Sequence, residues 1–232
     1  MKLYSTIILS FLCFVGLAQQ RINPHECNLE HHPKGVNYKA VSNDTAIDIT
    51  FYHINLEIAI DSPFVKGNVQ CNLVSQVNGL SSFNLDLDSA FTVDSISQPA
   101  SGFMFKNNVL NIQLAASYNI GDAISVKIYY HGVPVMPGGF KGLRYEMHDG
   151  NQPIIASLST PYLAHSWWPC KDGTQDKADS VFQDFTIKDT IVAGLQMRAI
   201  GNGVLDTILS VGDSKQVYQW RHRYPVVPYY VM

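Results

Sequence analysis

The chain has 232 residues, of which 46% are hydrophobic and 15% charged, with a formal net charge of -3. That length holds one large domain or two small ones, and all-β domains often use it singly. The near-neutral balance excludes a basic face for nucleic acid, and the apolar content excludes an acidic, disordered tail.

Residues 1–18 read as a secretory signal peptide: one Lys, an apolar stretch, then Gly16-Leu17-Ala18 before a cut after Ala18. The alternative is an N-terminal anchor, but the run is short for a spanning helix and no basic stop follows it. No later stretch is long and apolar enough to span a bilayer, so the mature protein is expected to be secreted or periplasmic. With Cys13 removed, Cys27, Cys71 and Cys170 remain, which allows one bridge plus one free thiol or three free thiols.

Residues 19–46 lack periodicity and read as an extended leader. From there the pattern has a period of two. Tyr52, Ile54, Leu56, Ile58 and Ile60 alternate with polar neighbours, as one buried face of a strand requires. The alternation returns at Val69/Cys71/Leu73, Phe83/Leu85/Leu87, Leu110/Ile112/Leu114 and Ile124/Val126/Ile128/Tyr130. Turn signals fall at Lys66-Gly67, Asn78-Gly79, Ser101-Gly102, Gly121-Asp122 and Pro137-Gly138-Gly139. Further strands are predicted at 180–188, 194–200, 206–211, 216–222 and 227–231. No segment has helical apolar spacing over ten residues. The expected fold is all-β, an antiparallel sandwich or saddle with little helix, as one domain over 47–232. The apolar ending "PYYVM" reads as a chain cut where a next domain docks, with a terminal edge strand as the alternative.

Catalytic signatures are missing. Gluzincin hydrolases need H-E-x-x-H on a helix, so that two His share a face beside a Glu. His25-Glu26 is followed by Leu29 where the second His should stand. No G-x-S-x-G elbow, phosphate-cradling loop or local Cys/His signature occurs. "HECNLEHH" (25–32) has donors for a metal, but such donors on a leader are usually solvated. His53, His131, His148 and His222 lie in or beside strand patterns and are expected to be structural.

One stretch stands apart: "HSWWPCKDGTQDKADS" (165–180) mixes two Trp with a Pro, a Cys and several charges. In its context, "SLSTPYLAHSWWPCKD" followed by "DKADSVFQDFTI", the sequence resembles the N-terminal domain of the M1 family of zinc aminopeptidases. "ITFYHINLEIAIDSPFVKGNVQCNLV" (49–74) is similar to that domain's first hairpin, "AIGNGVLD" (199–206) to its Asn-Gly turn, and "RYPVVPYYV" to its closing segment. The resemblance covers 47–232 in order. It implies a saddle-like β-sandwich packed on a thermolysin-like catalytic domain of the same polypeptide, with peptide as substrate only in that context. The loop of Trp167, Trp168, Pro169, Cys170 and Asp172 would lie at the domain junction. Lys171, Asp172, Asp176, Lys177 and Asp179 would fix it by ion pairs and turn hydrogen bonds. Large, rotor-poor Trp suits such an interface, and equally suits the domain's own core.

The family's amine-anchoring Glu or Gln falls on Thr160, whose short neutral hydroxyl lacks the charge suited to an ammonium, and Leu158 offers no substitute. The Gly-x-Met-Glu-Asn stretch, H-E-x-x-H and downstream Glu ligand are absent, so this chain is expected to carry no catalytic residue, no metal ligand and no cofactor of its own; zinc belongs to the missing catalytic domain. The alternative is a free-standing exported module that binds glycan or protein through Trp167, Trp168, Tyr145 and Tyr162. A third reading is metal capture by the His-rich leader.

Overall fold

The computed structural model describes residues 44–134, 142–148, 150–173, 175–192 and 194–232. These all fall in one unit, and the signal peptide, the leader with Cys27, and the Pro137-Gly138-Gly139 turn lie outside them. In chain order the strands are β1 (Ile47–Ile58), β2 (Val65–Ser75), β3 (Leu80–Asp86), β4 (Phe91–Ile96), β5 (Ala100–Lys106), β6 (Val109–Tyr118) and β7 (Ala123–Gly132). They continue as β8 (Leu143–His148), β9 (Gln152–Ser157), β10 (Ser180–Lys188), β11 (Ile191–Val192), β12 (Leu195–Gln196), β13 (Val204–Val211) and β14 (Lys215–His222). Among the described residues, helix is confined to single 3-10 turns at Ala164–Ser166 and Pro228–Tyr230.

A seven-stranded sheet, ordered β13-β14-β10-β1-β2-β7-β4, shares one apolar core with a three-stranded sheet, β3-β6-β5. The facing rows are the ones whose alternation shows in the sequence: Ile54 and Leu56 of β1, Val69 and Leu73 of β2, Phe83 and Leu85 of β3, Leu110 and Ile112 of β6, all buried. The all-β expectation holds, with one addition. β1 is antiparallel to β2 but parallel to β10. The strands reach that arrangement through the long excursion from Gly132 to Ser180, because a parallel neighbour cannot be joined by a tight turn.

Local signals were overridden in several places. Both Ile47/Ile49 and Tyr52/Ile54/Leu56 face the core, a change of phase absorbed by a bulge between Ile49 and Phe51. Lys66-Gly67 is no turn but lies inside β2. There a Cβ on residue 67 would sit 2.1 Å from the Asn55 carbonyl oxygen, so the glycine is a point of close strand approach. Ser101-Gly102 likewise lies inside β5, where β6 supplies the partner that outweighs turn propensity. The predicted strand at 194–200 shrinks to β12, paired only with β11 in a two-stranded ribbon. The predicted strand at 227–231 is instead the Pro228–Tyr230 turn: Pro228 has no N–H to give a ladder. β4, β5, β8 and β9 had no strong alternation and were not expected; β8 and β9 form a separate antiparallel hairpin.

Candidate functional site

The Trp-Trp-Pro-Cys loop enters from β9 through a turn in which the Leu163 N–H donates to the Thr160 carbonyl oxygen (3.0 Å). Tyr162 holds a left-handed φ of 70° in that turn. The loop is then stitched to both sheets. At the three-stranded sheet, the Asp86 N–H donates to the Cys170 carbonyl (2.7 Å) and the Cys170 N–H donates back (3.0 Å). At the seven-stranded sheet, the Lys171 N–H donates to the Tyr52 hydroxyl (2.9 Å), and the Tyr130 hydroxyl donates to the Trp167 carbonyl (3.0 Å).

Trp167 is 1% and Trp168 0% exposed, and Pro169, Cys170 and Asp172 are buried with them. The Trp168 ring meets Tyr52 edge-on at 4.8 Å, a favoured aromatic geometry. Here, then, both rings fill this domain's own core and wedge its two sheets together. Neither ring can stack on a sugar, which removes two of the four side chains offered as a glycan platform. Tyr145 is committed elsewhere, its hydroxyl donating to the Ile60 carbonyl (2.6 Å).

Charge in the loop serves the same end. Asp172, fully buried, accepts from the His165 N–H (3.0 Å) and pairs with His165 Nδ1 (2.6 Å) through one oxygen, while its own N–H donates to Asp86 (3.0 Å). Lys171 pairs with Asp176 at 2.7 Å and donates to the Ile47 carbonyl at 2.6 Å, which ties the loop to the start of β1. Asp179 contributes its backbone N–H, to Thr50 O (2.9 Å). Cys71 and Cys170 are buried free thiols, and burial pushes both well up from the ordinary thiol range. They are inert by position.

The Asn-Gly pair expected as a turn does more than turn the chain. Asn202 donates to the Tyr230 carbonyl (2.9 Å) and accepts from the Met232 N–H (2.6 Å). Its own N–H goes to the buried Gln183 side chain (2.7 Å). Gly203 is required at its place, with φ +86° and a would-be Cβ 2.3 Å from the Arg221 carbonyl. Thr160 is half-buried beyond the end of β9.

Beside the loop lies an open apolar cleft of about 580 Å³ that no sequence pattern marks. Ile154 of β9, Leu195 of β12 and Met197 form its walls; Trp167, Phe185 and Ile187 lie at its floor. The missing signal is understandable, since the cleft lies between the β8–β9 hairpin and the β11–β12 ribbon, both short. Among the described residues, no group of three or more His, Cys, Asp or Glu is placed to hold a metal ion; the His-rich stretch 25–32 lies outside them.

No protein-family profile matches the chain, and no curated protein matches it. Solved structures do. The M1 zinc metallopeptidase from Deinococcus radiodurans superposes with a TM-score of 0.66 at 19% identity, over 80% of this chain and 41% of that one. Yeast LTA4 hydrolase in complex with bestatin superposes with a TM-score of 0.61 at 16% identity, over 86% of this chain and 30% of that one. The chain therefore spans less than half the length of these enzymes, and its fold matches the N-terminal domain of M1 aminopeptidases.

Proposed function

We propose that this chain is the exported, non-catalytic N-terminal β domain of an M1-like zinc aminopeptidase. In that enzyme a separate domain of the same polypeptide holds the zinc and removes N-terminal residues from peptides. The observation that carries the reading is the match of fold together with the Trp-Trp-Pro-Cys-x-Asp loop clamped between the two sheets. The loop residues Trp167, Trp168, Pro169, Cys170 and Asp172, all buried, act by setting the scaffold against which a neighbour rests. Thr160, in the place of the amine-anchoring residue, offers a neutral acceptor only, so recognition of the α-amine falls to groups outside this chain.

Hydrolysis needs a metal-polarised carbonyl and an activated water. Incubated with zinc and aminoacyl p-nitroanilides, the purified chain should release no p-nitroaniline. Turnover abolished by a chelator would overturn the reading. The gene's sequence tests it independently: an in-frame H-E-x-x-H region after the codon for Met232 is the expected result.

A further inference from the structure

The sequence holds two Asn-Gly pairs, and the fold treats them differently. In such a pair the glycine nitrogen can attack the asparagine side-chain amide, because the glycine has no Cβ to obstruct the approach. Asparagine counts among the thermolabile residues. Asn202-Gly203 is locked. The Asn202 side chain donates to the Tyr230 carbonyl (2.9 Å) and accepts from the Met232 N–H (2.6 Å). A Cβ on Gly203 would lie 2.3 Å from the Arg221 carbonyl oxygen. Turning this carboxamide onto the Gly203 nitrogen breaks both bonds and shifts a backbone already in close contact.

Asn78-Gly79, in the turn between β2 and β3, is open. Both residues are exposed, and a Cβ on Gly79 would meet nothing within 4 Å. What sets the pair apart is its neighbour, the turn between β6 and β7. The Ile120 N–H donates to Asn78 Oδ1 (3.2 Å), and the Gly79 N–H donates to Asn119 Oδ1 (3.3 Å). The first bond draws electron density from the side-chain carbonyl and can stabilise the oxyanion that forms when its carbon is attacked. The second draws on the proton that the attacking nitrogen must lose. Asp122 steadies this second turn by accepting from the Asn119 N–H (2.7 Å). One turn polarises both the electrophile and the nucleophile held in the other.

We propose that Asn78-Gly79 is a self-modifying site, at which the β6–β7 turn promotes closure of the Asn78 side chain onto the Gly79 nitrogen. The bond from that nitrogen to Cγ forms and the Cγ–Nδ2 bond breaks. Nδ2 leaves as ammonia, taking up the proton that the Gly79 nitrogen releases. Water then opens the cyclic imide, and the nitrogen regains a proton. Cleavage at Cγ gives aspartate at position 78; cleavage at the main-chain carbonyl gives isoaspartate, in which the chain runs through the side-chain carbon. Either product sets a negative charge against the turn that carries Asp122. Isoaspartate also lengthens the main chain just ahead of Leu80, which is buried and pairs with Tyr118 at the start of β3. The site records the age of the molecule, whatever the chain's function.

The test is peptide mapping by mass spectrometry, with isoaspartate read by enzymatic carboxyl methylation. The purified chain is incubated at body temperature and mildly alkaline pH, folded and in concentrated urea. In urea the two pairs should react alike. In the folded chain Asn78 should convert at least as fast as in urea, with isoaspartate in excess over aspartate. Asn202 should convert about tenfold or more slowly, since its hydrogen bonds must break first. Asn119→Ala should slow conversion of Asn78 several-fold in the folded chain and leave the rate in urea unchanged. An intact Asn202 shows that this variant is folded; should it unfold, the unsubstituted chain, folded against urea, decides alone. Slower conversion of Asn78 in the folded chain than in urea overturns the proposal. So does equal conversion of both pairs in the folded chain, or a folded Asn119→Ala chain that reacts as fast as the unsubstituted one.

Discussion

Trp168 shows how one side chain organises this domain. It touches Tyr52 of the large sheet, sits beside Trp167, and lies between two backbone attachments of the loop, at Trp167 and at Cys170. Truncation to Ala leaves a large cavity at a place where both sheets are joined by side-chain packing and hydrogen bonds together. Trp168→Ala should destabilise the chain by about 3–5 kcal/mol in urea unfolding. Thiol labelling gives a second readout. In a Cys27→Ser chain without residues 1–18, Cys71 and Cys170 should stay unlabelled by a disulfide reagent at neutral pH until unfolding exposes them, and Trp168→Ala should speed their labelling. Rapid labelling of the unsubstituted chain would show that the loop is not closed. The sequence made the loop conspicuous through its composition, but both core and interface were open to it. The burial of both rings and the loop's hydrogen bonds with Tyr52, Tyr130 and Asp86 decide that the rings face inward.

At the scale of elements, the outer face of the large sheet is fastened where β1, β10 and β14 meet. Asp184 of β10 pairs with His53 of β1 at 2.9 Å and with Arg221 of β14 at 2.7 Å, and Gln219 donates to it at 3.2 Å. Burial pushes the Asp184 carboxyl up, but the hydrogen bonds from His53 and Arg221 outweigh it and hold the group below its ordinary range. A carboxyl lowered in the folded state adds stability that is present above its unfolded value, near ~3.9, and is lost as pH falls through the folded value. Asp184→Asn should therefore cost about 1.5–3 kcal/mol at neutral pH. The gap to the unsubstituted chain should begin to narrow below pH ~4 and close only in stronger acid, once pH has fallen through the lowered folded value and Asp184 is neutral in both states. A gap that persists or widens in acid would contradict the ion-pair account. The strands joined here were legible one by one, from Tyr52/Ile54/Leu56 and from the apolar run at 180–188. Their parallel pairing was not, since period-two alternation marks a strand's buried face and says nothing of its neighbour's direction. The edge elements β4, β5, β8 and β9 escaped for a related reason. Each exposes residues on both faces, so burial leaves no periodic trace in the sequence.

For the molecule as a whole, two surfaces of different character result. The outer face near Asn68, Gln70, Asn72 and Ser125 is polar and internally hydrogen-bonded, as in Ser125 Oγ to Asn72 (2.7 Å). The side bearing the cleft is apolar, with Ile154, Leu195 and Ile200 exposed among the described residues. The leader adds a prediction at this scale. Expressed with residues 1–18 in a bacterium that exports by signal peptide, the chain should be recovered outside the cytoplasm with Gln19 at its N-terminus, as Edman sequencing reads it. Recovery from the cytoplasm with Met1 retained would remove export from the proposal.

The pairing of β1 with β10 brings together residues as far apart as His53 and Asp184, 131 positions along the chain. During synthesis, β1 and β2 can zip soon after they emerge, but the other rim of β1 stays bare until Ser180–Lys188 has left the ribosome. That interval favours slow, late completion, because closing so large a loop must precede the contacts that reward it. A holdase that shields bare strand rims would find its natural client in this half-finished sheet.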